Sequence, residues 1–140
     1  MIWPKEYSAE ELNNRPKSHI GAVLGIEFIE IGPDFISARM PVNEKTHQPY
    51  GILHGGASVV LAETLGSVAS NLIINSDKYI GVGLEVNANH LRPVKSGFVT
   101  GICKPIHIGG KTHVWDIKLY DDMGKMNCVS RLTVAIVPRT

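Results

Sequence analysis

Glu63 is the one charged side chain between His54 and Asp77, in a run otherwise made of Ala, Val, Leu, Ile, Gly, Ser, Thr and Asn. A carboxylate in such company is costly unless it is used or paired. Desolvation there would also make it a stronger base, as general base catalysis requires. Ser67 lies one helical turn further on, within reach of that carboxylate or of a water beside it. Upstream, His54-Gly55-Gly56 offers backbone N–H groups at the positive end of a helix, where donors can polarise a carbonyl or hold an oxyanion. Each feature also has a plainer reading. Glu63 could be a solvated outer-face residue, the glycine pair an ordinary helix start, and His54 a cap. Gln48, in the loop before, is uninformative by itself. Gly55 and Glu63 are eight residues apart, so their backbones stand about 12 Å apart along one helix. That is too far for both to bracket one carbonyl easily. An antiparallel second copy of the helix would bring them together, which predicts a dimer with two composite sites.

The element that must carry these groups runs from Gly55 to Ile74. Leu61, Leu65, Val68 and Leu72 fall at i, i+4, i+7 and i+11, one stripe on a 3.6-residue period. Glu63 is placed away from that stripe, on a face with Val59, Val60, Gly66, Ser67, Ser70 and Ile74. With small or apolar residues nearly all round, such a helix is covered on most sides. Ahead of it, Ser8 and Glu11 fit a capping box for a helix running toward Arg15. Ile20 to Leu24 suits a helical turn, and Ile26 to Ile31 and Phe35 to Met40 suit strands. After it come four candidate strands, Ile80 to Leu91, Gly97 to His107, Thr112 to Tyr120 and Asn127 to Val137. Turns at Gly109-Gly110 and Asp121 to Lys125 separate the last three. Two strands, one long helix and four strands predict an α+β domain spanning residues 1–140, in which a curved antiparallel sheet wraps the helix.

Composition narrows the function. The 140 residues carry a net charge of +1, with 44% hydrophobic and 19% charged residues. No basic excess suggests a nucleic-acid or anionic-membrane surface. No uninterrupted apolar stretch approaches the roughly 18 residues of a membrane span. Cys103 and Cys128 lack CxxC spacing, and Met1-Ile2-Trp3-Pro4-Lys5-Glu6 does not read as a signal peptide. Reduced thiols and a cytoplasmic location are expected. The six histidines show no HExxH spacing, paired cysteines or carboxylate cluster, so no metal is expected. No P-loop or GxGxxG run occurs.

The run QPYGILHGGASVVLAETLGS, Gln48 to Ser67, resembles the PaaI-like branch of the hotdog thioesterases. The likeness continues through GLEVNANHLRPVKSG, VWDIKLYDDMGK and SRLTVAI, and covers nearly the whole chain. The resemblance implies a hotdog fold, paired subunits and a dimer of dimers. It implies hydrolysis of aromatic acyl-CoA thioesters, 1,4-dihydroxy-2-naphthoyl-CoA of menaquinone biosynthesis among them, or of aryl-carrier-protein thioesters. No cofactor is implied, coenzyme A being part of the substrate. The family carboxylate falls on Glu63, as nucleophile or as base for water. The polarising amide falls on Gly55, helped by His54 and Gln48, and the assisting hydroxyl on Ser67, with carboxylate and amide from opposite subunits. For coenzyme A the resemblance points to Gly83, to Asn89, His90, Leu91 and Arg92, and to the turn of Ile106, His107, Ile108, Gly109, Gly110 and Lys111. Arg92, Lys95, Lys104 and Lys111 are cations near strand ends that could meet phosphates, although any single lysine reads equally as surface charge. Two other activities suit this fold. One is an acyl-thioester hydratase or dehydratase, which needs a histidine and a carboxylate set for proton movement beyond the carbonyl. The other is a non-catalytic acyl-CoA-binding subunit.

Overall fold

A computed structural model describes residues 1–16 and 19–140. Two short helices, α1 (Ala9–Asn13) and α2 (Ile20–Val23), precede strands β1 (Glu27–Ile31) and β2 (Ile36–Pro41). The long helix α3 (Gly55–Ile73) follows, and then β3 (Tyr79–His90), β4 (Phe98–Ile108), β5 (Thr112–Tyr120) and β6 (Met126–Pro138). The strands form one antiparallel sheet in the order β1-β2-β4-β5-β6-β3. Helix α3 packs against every strand from β2 to β6. This is the α+β arrangement that the alternation and the single long apolar period predict, and the hotdog fold that the resemblance implies.

The Leu stripe behaves as read, with Leu61, Leu65 and Leu72 buried and Val68 packed on the core. Two residues assigned to the Glu63 face belong elsewhere. A Cβ at Gly66 would lie 2.5 Å from Leu132 Cδ2, so a larger residue there would have to displace the buried Leu132 side chain. Ser70 is fully buried, and its Oγ accepts from Trp115 Nε1–H at 2.8 Å. The sheet covers more of the helix circumference than a one-stripe reading allows, because it curls around α3.

Helix α1 ends at Asn13, short of Arg15, though Ser8 caps it as expected by accepting from Glu11 N–H at 3.1 Å. The Asn13 side chain binds both the N–H and the C=O of Phe28, at 2.8 Å each. An unpaired stretch of edge strand β1 is thereby covered. By length and composition α3 is long and apolar enough to cross a bilayer, because Ser, Thr and Gly dilute its apolar residues very little. Half of that stretch is buried inside the molecule.

Candidate active site

The loop before α3 is fastened at several points. His54 N–H donates to Thr46 O and Leu53 N–H to Val94 O, both at 2.8 Å, while His47 Nε2 lies 2.9 Å from Lys95 O. Gln48 N–H donates to Ile52 O, and its side-chain Oε1 accepts from the N–H of Tyr50. His54 is the N-cap of α3, and its Nδ1 accepts from Gly56 N–H at 2.8 Å. That bond places the neutral ring's hydrogen on Nε2. The plain reading of His54 as a cap thus holds, and the cap sets the angle at which Gly55 is presented. Gly55 is the first helical residue, and the first amide of a helix has no acceptor within it.

A cavity of about 490 Å³ opens at this helix end. Gln48, Gly55, His90, Leu91 and Arg92, five of the positions singled out in the sequence, line it together. The imidazole of His90 lies over the first turn of α3, so that a Cβ at Gly55 would come within 2.8 Å of His90 Nε2. Arg92 is exposed at the rim. Ile52, Leu53, Ser58, Pro93, Val94 and Asn127 also line the cavity and were not anticipated. Ser58 was legible in principle, since it follows Gly55 by nearly one turn of the same helix. Asn127 had no such signal.

Glu63 lies further down α3, half-buried, with its carboxylate against Gly83 of β3, where an added Cβ would push the carboxylate aside. It does not line the Gly55 cavity, as the spacing of the two residues along one helix leads one to expect. Ser67 is half-buried one turn on, its carbonyl accepting from Asn71 Nδ2 at 2.8 Å. The Asn71 side chain also accepts from Gly81 N–H at 3.0 Å and thereby ties β3 to α3. Gly83 is thus beside the carboxylate rather than in the cavity, and Asn89 is an exposed residue of β3 paired with Val129. The β4–β5 turn, Ile106 to Lys111, is not brought to the cavity within one chain. It adjoins His113, which meets α3 near its C-terminal end, at Ser70. Lys95, Lys104 and Lys111 are exposed.

A second polar cluster is sealed in the core. His113 is buried, and its Nδ1 lies 2.9 Å from the same Ser70 Oγ that Trp115 binds. Burial pushes the His113 pKa below its ordinary 6.5, helped by His107 and opposed by a hydrogen bond to the Gly109 backbone. Burial also raises the thiol pKa of Cys103, with Asp116 adding to it, and that of Cys128. Both cysteines are free, as expected. Among the described residues no group of three or more His, Cys, Asp or Glu is placed to hold a metal ion.

A curled sheet thus wraps one helix whose end amide opens into a cavity and whose carboxylate lies further along. The chain belongs to the thioesterase superfamily, whose family model matches residues 50–128. It is 47% identical over 137 residues to a 1,4-dihydroxy-2-naphthoyl-CoA hydrolase of Escherichia coli strain K12, covering 98% of this chain and 100% of that one. It is 44% identical to the proofreading thioesterase EntH of Cronobacter turicensis, covering 98% and 99%. Among solved structures, a thioesterase from Pseudomonas aeruginosa superposes with a TM-score of 0.97 at 52% identity, covering 99% of this chain and 100% of that one.

Proposed function

We propose that this thioesterase hydrolyses aromatic acyl-CoA, of the 1,4-dihydroxy-2-naphthoyl class that names its Escherichia coli relative, at a site composed by two subunits. The observation that carries this reading is the separation within one chain. Gly55 opens into the cavity, whereas Glu63 faces β3 further along the same helix. In an antiparallel pair of α3 helices, Glu63 of the partner subunit reaches the carbonyl held by the Gly55 amide. Charge developing on that oxygen is met by a donor already in place. The partner's Glu63 either attacks the carbonyl carbon, expelling the thiolate and leaving an anhydride for water to open, or takes a proton from attacking water. His54 holds the helix end, Gln48 stiffens the loop beside it, and Ser67 orients the water. Arg92 at the rim meets a phosphate of coenzyme A, and the partner's β4–β5 turn closes over the same arm. The reading needs no cofactor. Two free, buried thiols accord with a reducing, cytoplasmic compartment.

Subunit mixing tests the composite site. Gly55→Pro removes the amide hydrogen at a helix position that tolerates proline, with Gly55→Ala, which brings the same Cβ against His90 but keeps the amide, as its control, and Glu63→Gln removes the carboxylate. Each variant alone is expected to be nearly inactive. A mixture refolded together should recover about a quarter of wild-type turnover, because half the dimers are mixed and one site of each is intact. If each site were built from one chain alone, every site would carry one of the two lesions, so a mixture that stays as inactive as its parents places the whole site within one chain. Parallel kinetics on naphthoyl-, benzoyl- and fatty acyl-CoA and on an aryl-carrier-protein thioester fix the acyl group and its carrier.

A further inference from the structure

The cavity wall is graded in polarity and burial. Its rim is His90, Leu91, Arg92 and Pro93, all exposed, whereas Ser58 is 1% and Asn127 3% exposed. The Asn127 Oδ1 is shielded from solvent and has no hydrogen-bond partner. The backbone is irregular at this residue. Between β5 and β6, Leu119 pairs with Cys128 and Tyr120 with Met126, so Asn127 is an extra residue on β6, a β-bulge. Bulges of this kind re-aim a side chain. Here Asn127 and Cys128, consecutive in the strand, are both buried, where a regular strand would bury only one. A buried amide oxygen without a partner is unfavourable for the folded chain alone.

We propose that Asn127, with Ser58 beside it in the wall, is the specificity-determining contact for a hydroxyl group on the acyl portion of the substrate. The inference rests on the hydrolase reading above. Once the thioester carbonyl is at Gly55, one limb of the substrate must extend toward the cationic, exposed rim and the other toward the buried wall. Coenzyme A is large, anionic and must leave, which suits the Arg92 side. The acyl group takes the other limb, and a neutral carboxamide answers a neutral polar substituent better than a hydrocarbon ring edge. A site built to hydrogen-bond a hydroxyl discriminates against the analogue that lacks it, since its own polar group is then left unpaired.

The test compares kcat/KM for the three monohydroxybenzoyl-CoA isomers with that for benzoyl-CoA, in the full chain and in Asn127→Leu. The wild type is expected to favour at least one isomer over benzoyl-CoA, and Asn127→Leu to lower that ratio about tenfold, the worth of one buried hydrogen bond. Turnover of benzoyl-CoA by the same preparation reports that the variant folds. If it does not fold, Asn127→Ala is read the same way. A ratio unchanged within the scatter, or an equal loss on all four thioesters, overturns the assignment, the latter by placing Asn127 against the shared thiol arm. A wild type that turns over none of the aryl thioesters fails at the hydrolase reading itself.

Discussion

In the proposed mechanism a carboxylate and a backbone amide carry the chemistry, and neither can be replaced by a near neighbour in shape. Glu63→Gln keeps the volume and removes the charge. Its turnover should fall by about 10² to 10⁴ while a non-hydrolysable acyl-CoA thioether analogue still binds, as titration calorimetry would show. A variant keeping a tenth of the activity would place the base elsewhere. Gly55→Pro should lose about 10² to 10³ in kcat with its circular dichroism unchanged. His113 titrates in a different way. Its pKa is lowered in the folded chain, so the unfolded chain binds the extra proton first as pH falls through 6.5. Stability to urea is therefore expected to be complete above that pH and to decline below it, until the folded form is itself protonated. His113→Gln should flatten the decline.

Sequence reading was effective for residues of this kind in proportion to their isolation. Glu63 stands out because no other charge surrounds it, and His54-Gly55-Gly56 because of its spacing to that glutamate. Asn127 did not stand out. Its inward aim depends on a bulge between β5 and β6, which results from long-range pairing and leaves no period in the local sequence. Ser70 was misplaced for a related reason. The helical period set it on the Glu63 face, whereas the curled sheet buries it and the Trp115 and His113 nitrogens satisfy it in the core.

At the scale of elements, α3 is held by contacts that have little slack. Gly66 touches Leu132, and Gly101 of β4 touches Leu65, with a built Cβ 2.6 Å from Leu65 Cδ1. Gly66→Val should cost about 1–3 kcal/mol, the usual penalty of overpacking, measured by urea denaturation. Ser70→Ala leaves Trp115 Nε1 and His113 Nδ1 without their shared oxygen and should cost about 1–3 kcal/mol. A smaller loss would mean that water takes the place of the hydroxyl. The element boundaries themselves were legible to within a residue or two, since alternation in β5 and the 3.6-residue period in α3 are strong local signals. The strand order was not legible, because pairing β2 with β4 and β6 with β3 is settled by how the sheet closes around the helix.

For the whole molecule, the decisive question is what covers the open side of α3 and the outer edge of β3. Val82 is 45% and Leu84 64% exposed on that edge strand, a surface suited to a second copy of the chain. Val82→Lys together with Leu84→Lys should shift the protein to monomers in sedimentation and abolish turnover in parallel, with the monomer still folded. Full activity in a monomer would contradict the composite site.

Strand β3 touches both halves of the proposed site. Its Gly83 lies against the Glu63 carboxylate and its His90 lies over Gly55, and Asn71 anchors the strand to the helix at Gly81. The strand thus works as a ruler laid beside the helix, marking acid and amide at once. Slipping it by a single residue would turn side chains to the opposite face, pushing a bulky group at the acid and withdrawing the imidazole from the amide in one movement. Two such rulers side by side would keep the two reaction centres of a pair in step, so that a lesion at Gly81 should disturb positions at both ends of the helix without touching either.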